Sequence, residues 1–222
     1  MWAHGIGATL STLAVSAIVG HSSAGRPIEL VHVPGPGPRV LVVGCIHGDE
    51  CAGMAVVGAL RRSHPREDLW LVPTLNPDGL ARGTRQNARG IDLNRNFPSG
   101  WRPFGPPWSV YAAGARPWSE PETRVARAVV ERVHPRFTIW FHQHLDLVWA
   151  YGRSSAAGRR YARLSGLRSY HHPWLAGTAT NWQNHLAGGG ASITVELPAG
   201  RLDARALRRQ ERAVLGLASP GV

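Results

Sequence analysis

Not one lysine occurs in the 222 residues: all 25 basic side chains are arginine, set against 14 Asp and Glu, for a formal net charge of +11. Such an excess could mark a nucleic-acid surface, but the arginines are scattered, adjacent only at Arg61/Arg62, Arg159/Arg160 and Arg208/Arg209. A dispersed pattern builds no basic stripe, so no nucleic-acid partner is expected, and a weak attraction to anionic cell-envelope polymers is the milder reading. Cysteine is almost missing. Cys45 and Cys51 alone cannot supply a disulfide framework; they sit close enough to form a local bridge, although buried free thiols are the commoner fate of such residues. No apolar run reaches the roughly 20 residues of a membrane-spanning helix, which argues against an integral membrane protein. Internal repeats are absent as well. What remains, 43 % apolar and 18 % charged residues, is the composition of an ordinary globular chain the size of one domain, with a monomer as the default.

Residues 1–19 admit two readings. Gly5 to Gly20 is small and apolar, and Val15-Ser16-Ala17 resembles a cleavage site, as a secretory signal requires, yet no Lys or Arg precedes it. The alternative is that Ala14 to Val19 is the first strand or helix of a domain that otherwise occupies 20–222. An exported or cell-envelope location is favoured over a cytoplasmic one.

Ile28 to Val33 and Arg39 to Cys45 are rich in Val, Ile and Leu and flank Pro34-Gly35-Pro36-Gly37-Pro38, so they read as two strands joined by a turn. The second is apolar throughout and is expected in the middle of a sheet. Met54, Val57 and Leu60 recur at helical spacing in Glu50 to Arg62. Leu69 to Val72 is a further strand, followed by a long, weakly periodic stretch from Pro73 to Pro117, and loops of that length are usually functional. Ser119 to His134 is expected to be an amphipathic helix, with Ser119 as its cap and Glu122 completing a capping box. Strands over Arg136 to His142 and Ala191 to Leu197 and helices over Ser155 to Leu167 and Leu202 to Leu217 complete the pattern. Strands interleaved with helices predict an α/β single domain: an open mixed β-sheet with helices on both faces, whose ligands gather beyond the carboxyl ends of the strands.

Polar residues fall at those ends. Gly44-Cys45-Ile46-His47-Gly48-Asp49-Glu50 delivers an imidazole and a carboxylate three residues apart from the end of a buried strand. Two imidazoles and one carboxylate are a common donor set of catalytic zinc, although an isolated pair of this kind also arises from acidic residues at helix starts. A third donor is available in His142 or His144 at the end of the strand Phe137 to Phe141; His142 is preferred, with His144 as a neighbouring or substrate-facing group. Glu196 interrupts the apolar run Ile193 to Leu197, where a carboxylate needs either an arginine partner or a function, and taking a proton from a metal-bound water is such a function. The middle stretch supplies Asn76-Pro77-Asp78-Gly79 and Arg85-Gln86-Asn87-Ala88-Arg89-Gly90-Ile91-Asp92-Leu93-Asn94-Arg95-Asn96. These forks and amides either bind carboxylates bidentately or simply close Asx-turns in a solvated loop.

Taken in order, these motifs resemble the zinc carboxypeptidase family of the carboxypeptidase A type, over roughly Gly20 to Gly200. The resemblance implies that His47, Glu50 and His142 bind one Zn2+, that Asp92 orients the His47 ring, and that Arg85 polarises the scissile carbonyl. It further implies that Asn94 and Arg95 grip the terminal carboxylate of a peptide and that Glu196 serves as general base. Ser22-Ser23-Ala24-Gly25-Arg26-Pro27-Ile28 and the run through Asp92-Leu93-Asn94-Arg95-Asn96-Phe97-Pro98 resemble bacterial members such as murein peptide amidases, so a peptide or murein-peptide substrate is expected. The family's substrate-capping tyrosine has no clean counterpart; Tyr170 is close but out of register, and Pro173 falls near the expected place. Gly177 to His185, which resembles the wall of the specificity pocket and contributes Thr180 to substrate binding, has neither an acidic residue nor a plainly apolar lining. A small or polar leaving residue follows. Relatives resembling succinylglutamate desuccinylase and aspartoacylase, which deacylate amino acids, offer a second reading, and an inactive peptide- or cell-wall-binding member a third.

Overall fold

A computed structural model describes residues 14–218. Eight strands form one sheet: β1 Val15–His21, β2 Pro27–Val33, β3 Arg39–Val43, β4 Asp68–Val72, β5 Phe137–Gln143, β6 Leu147–Trp149, β7 Arg168–Tyr170 and β8 Ala191–Leu197, in the spatial order β1-β2-β4-β3-β5-β8-β6-β7. The centre, β4-β3-β5-β8, is parallel, while β2 joins β4 and β6 joins β8 antiparallel. Alternation along the strands divides the apolar side chains between two faces. Val40, Val42, Ile139, Phe141, Ile193 and Val195 pack beneath helices α1 Gly53–Leu60, α4 Ser155–Ser165 and α6 Ala204–Gly216. Leu41, Val43 and Trp140 face α3 Pro121–Val133 and α5 Ala179–His185. The expected mixed sheet covered on both faces is therefore present.

Some local expectations change. Residues 27–33 and 39–43 do not pair with each other, because β4 lies between them and hydrogen-bonds to both. The Pro-Gly repeat carries the chain past the start of β4, and Gly35 and Gly37 are required there since a Cβ on either would strike the backbone of Arg66 or Glu67. Ser119 does not cap α3; Glu120 is the capping residue, and Ser119 donates to the Glu120 carboxylate instead. Glu122 is buried, accepting from the Ser23 N–H and from Asn87 Nδ2, so its carboxylate ties three segments together rather than closing a capping box. Within the long middle stretch, Pro77–Arg82 forms a short helix, α2. Its ends are well marked: Asn76 accepts from Gly79 N–H, and Gly83 leaves through positive φ. Cys45 and Cys51 form a disulfide, contrary to the free-thiol expectation; the turn that holds His47 brings their Cα atoms to 4.8 Å. Among the described residues no helix is long and apolar enough to cross a membrane.

Candidate metal centre and active site

β3 and β5 are parallel neighbours and end on the same edge of the sheet, which is how residues nearly a hundred positions apart meet. Past β3 the chain turns sharply at His47 and Gly48. A Cβ on Gly48 would collide with the Gly79 backbone, so this loop rests directly on α2 and the His47 ring is pressed inward, 1 % exposed. Glu50 follows just before α1, and His142 is buried at the end of β5. Nδ1 of His47 lies 2.9 Å from Glu50 Oε2, Nδ1 of His142 lies 3.0 Å from the same oxygen, and the two nitrogens are 3.2 Å apart.

Around this triangle stands a ring of supporting groups. Asp92 is fully buried and its Oδ1 lies 3.0 Å from His47 Nε2, which leaves Nδ1 as the lone pair facing inward when the ring is neutral. Arg85 donates from Nε to Asp92 Oδ2 at 3.0 Å and from Nη1 to Glu50 Oε1 at 2.7 Å. Asn94 accepts from Ala179 N–H through Oδ1, which turns its Nδ2 toward His142 Nε2 at 3.3 Å. Burial pulls the His47 ring down in pKa, but the Asp92 and Glu50 carboxylates outweigh it and the value lies above the usual one. Burial likewise pushes the Glu50 and Asp92 carboxyls up, and the neighbouring imidazoles, with Arg85 for Asp92, more than reverse this, holding both well below the ordinary carboxylate range.

The donor set fits a divalent metal. Two imidazole nitrogens and a carboxylate oxygen converge within 4.8 Å of one another, and Asp92, accepting on the far nitrogen of His47, leaves the inward nitrogen of that ring free to donate its lone pair. Tetrahedral ligands about 2.0–2.1 Å from zinc sit roughly 3.3–3.4 Å apart, close to the edges found here, and two His with one Glu is a known donor set of catalytic zinc.

Glu196 pairs in register with His142 across β5 and β8, so its side chain emerges on the same face at the same edge. One of its oxygens, Oε2, is buried with no hydrogen-bond partner among the described residues, an uncommon state that calls for a ligand or a chemical role. The Glu196 side chain lines a cavity of about 300 Å³ together with His47, Glu50, Arg85, Asn94, Arg95 and His142. All nine residues singled out in the sequence meet there except Asp92, which stands directly behind His47. Thr180 lines this cavity within a chain of hydroxyls, 3.5 Å from Thr178 and 3.4 Å from Thr194. His144 is exposed on the rim, too far round the turn after β5 to join the triangle, and Tyr170 stays outside, packed on Trp149 and His172.

Several lining residues were not anticipated. Thr194 lies two positions before Glu196 on β8, and strand periodicity alone places it on the same face. Trp149, Trp174 and Leu175 supply the apolar wall that Gly177 to His185 lacks; they come from a three-residue strand and an irregular loop, which leave no periodic signal. Tyr111, under the Arg95 guanidinium at 4.7 Å from its ring centroid, likewise comes from the unpatterned middle stretch.

Comparison with known proteins agrees with this geometry. Murein peptide amidase A of Escherichia coli (strain K12) is 34 % identical over 151 residues, a span that takes in 58 % of this chain and 59 % of that relative. The chain thus matches little more than half the length of that curated relative. Among solved structures, the murein-tripeptide amidase of Escherichia coli O157 superposes with a TM-score of 0.72 at 26 % identity, covering 91 % of this chain and 90 % of that one. Carboxypeptidase A of Helicoverpa armigera shares the fold, with a TM-score of 0.74 at 18 % identity over 92 % of this chain and 69 % of that one. The profile described as zinc carboxypeptidase matches residues 1–172, a stretch that contains His47, Glu50 and His142 and stops short of Glu196. On that match, which takes in well over half of its residues, the chain belongs to the zinc carboxypeptidase family.

Proposed function

We propose that this chain is a zinc-dependent metallocarboxypeptidase that hydrolyses peptide bonds near a substrate C-terminus, with murein peptides as the favoured substrate class. The observation that carries the reading is the meeting of the His47, Glu50 and His142 donors with a neighbouring carboxylate, Glu196, whose Oε2 has no hydrogen-bond partner among the described residues. One zinc ion held by those three side chains would supply Lewis acidity and a water of lowered pKa. Glu196 accepts the proton of the attacking water at its free carboxylate and returns it to the departing amine. Arg85 keeps Nη2 uncommitted, since its bonds to Asp92 and Glu50 use Nε and Nη1, and so has donors to offer the carbonyl oxygen as it gains charge. Arg95, whose guanidinium makes one bond to the Asn94 carbonyl, binds the terminal carboxylate together with Asn94. The hydroxyls of Thr178, Thr180 and Thr194 receive a polar leaving residue.

An exported location accords with this reading, because a disulfide such as Cys45–Cys51 persists in oxidising compartments. The test is metal analysis of purified protein followed by a substrate panel: murein tripeptide, peptides with varied C-termini and N-acyl amino acids, each with and without a chelator. About one zinc per chain and chelator-sensitive peptide cleavage are expected. Faster turnover of the acyl amino acids would transfer the site to deacylation, and metal binding without any hydrolysis would make the chain a binding protein.

A further inference from the structure

Gln143 closes β5 immediately after the donor His142, and since side chains alternate along a strand the two point to opposite faces of the sheet. His142 enters the catalytic cavity, whereas the Gln143 carboxamide passes behind the site, toward the start of α1 and the turn that follows β8. Its Oε1 accepts from Ala52 N–H at 2.9 Å, and its Nε2 donates to the carbonyls of Pro198 and Gly200, both at 2.8 Å. The backbone N–H of the same residue points at Glu50 Oε2 from 3.4 Å.

Each partner stands close to a catalytic carboxylate. Ala52 follows Glu50 by two residues, and Pro198 follows Glu196 by two. Neither segment has much else to hold it. Ala52 begins α1 with no side-chain cap and no acidic residue in the first turn, so the Gln143 oxygen supplies from another strand what the local sequence lacks. Among the described residues the Gln143 amide also makes the only hydrogen bonds to the backbone of 198–200. Beside it lies a cavity of about 550 Å³ whose walls include Cys51, Ala52, Gln143 and Gly200, so packing across this gap does not replace the bonds. The demand is chemically specific: one N–H needs an acceptor and two carbonyls need donors, and a carboxamide carries an acceptor oxygen and two N–H donors.

We propose that Gln143 is a positioning residue for the hydrolysis: by tying the start of α1 to the turn after β8 across the end of β5, its carboxamide sets where the Glu50 donor and the Glu196 base stand relative to His142. A displacement of about 1 Å in such a site can cost on the order of a hundredfold in rate. The Glu196 half of the proposal rests on the carboxypeptidase reading, whereas the Glu50 half concerns metal binding alone.

Two variants separate the halves. Gln143→Met keeps the length and bulk of the side chain and removes all three of its bonds. Gln143→Glu keeps an acceptor for Ala52 N–H but sets a second acceptor against the two carbonyls. Zinc affinity is read by chelator competition with the metal-free proteins, and kcat and KM for a peptide are read at saturating zinc. Gln143→Met is expected to weaken zinc binding about tenfold and to lower kcat about tenfold with KM little changed. Gln143→Glu should bind zinc no more weakly than wild type and still lose kcat about tenfold. A purely structural tie would lower the urea midpoint and leave both zinc affinity and kcat at wild-type values; that result overturns the proposal, as does a loss carried by KM. Should Gln143→Met fail to fold, Gln143→Glu decides alone, an unchanged kcat sinking the idea. If the wild-type protein cleaves no peptide, the carboxypeptidase reading fails, and the zinc affinities still decide the Glu50 half: weaker binding in Gln143→Met than in Gln143→Glu sustains it, and equal binding in all three proteins removes it.

Discussion

Two polar clusters grow from the same short segment, Asp92-Leu93-Asn94-Arg95-Asn96, and they end in opposite conditions. Asn96 is completely buried and completely satisfied. Its Nδ2 donates to the Ala113 and Arg116 carbonyls and to Ser119 Oγ, and its Oδ1 accepts from Glu120 N–H and Thr123 Oγ1. One side chain thereby fastens the far end of the irregular loop to the start of α3. Just before it Asn94 and Arg95 face the catalytic cavity, where Arg95 makes one bond to a neighbouring carbonyl and Glu196 Oε2 has no hydrogen-bond partner among the described residues. Buried polar groups are normally paired, so a closed cluster identifies scaffold and an open one identifies a place kept for something else.

The largest effect is expected at Glu196. Glu196→Gln keeps the shape of the side chain and removes its proton-accepting charge, so kcat for peptide hydrolysis should fall about 10³-fold, within the range for loss of a general base. Since no group among the described residues bonds to Oε2, the melting temperature should hold or rise slightly. Unchanged hydrolysis in this variant, measured at saturating zinc, would end the assignment of Glu196 as base. Asn96→Ala attacks the closed cluster and should do the reverse. It strands several buried partners, at on the order of 3 kcal/mol in total, read by urea denaturation. Activity per folded molecule should fall far less than in the Glu196 variant. A loss of stability under about 0.5 kcal/mol would show that Asn96 does not hold the loop in the way its hydrogen bonds suggest.

The same contrast explains what was readable in the amino-acid sequence. Strands such as Arg39–Val43, Phe137–Gln143 and Ala191–Leu197 announce themselves because central parallel strands are apolar on both faces. The donors His47, Glu50 and His142 and the carboxylate Glu196 stand out because polar groups at the ends of such strands are conspicuous. Other elements carry no such signal. β6 and β7 have three residues each, too few for a period to show. α5 is buried from Ala179 to Asn184 yet rich in polar residues, and the Gln183 and Asn184 amides donate to Thr138 Oγ1 and the Ser192 carbonyl instead of forming an apolar stripe. The order β2-β4-β3 also escapes local reasoning, because the Pro-Gly segment reads as a hairpin turn until the neighbouring backbone it must clear is in place. Tyr111 and Trp174 are invisible for the same reason: loop residues are positioned by tertiary packing alone.

Asp92 lies on the boundary between the two clusters, and its substitution has a smaller effect. It caps the Leu93–Arg95 turn through Asn94 N–H and orients His47 at the same time. Asp92→Asn keeps an acceptor for the cap but loses the charge facing the imidazole, so zinc affinity should weaken about 10–100-fold, as measured by chelator competition. The metal-free protein adds a pH signature. Asp92 has its pKa held far below the usual value, burial being outweighed by His47 and Arg85, so its contribution is complete above the unfolded value of about 3.9 and is lost as pH falls through the folded one. His47 has the opposite sign: its pKa is raised because Asp92 and Glu50 outweigh burial, so its contribution is complete below about 6.5 and fades as pH rises through the folded value. The stability difference between metal-free wild type and Asp92→Asn should therefore be widest between about pH 4 and 6.5 and narrow on both sides. Denaturation at pH 3, 5.5 and 8.5 measures it, and a constant difference would mean that Asp92 acts only as a cap and does not govern the charge of the ring it faces.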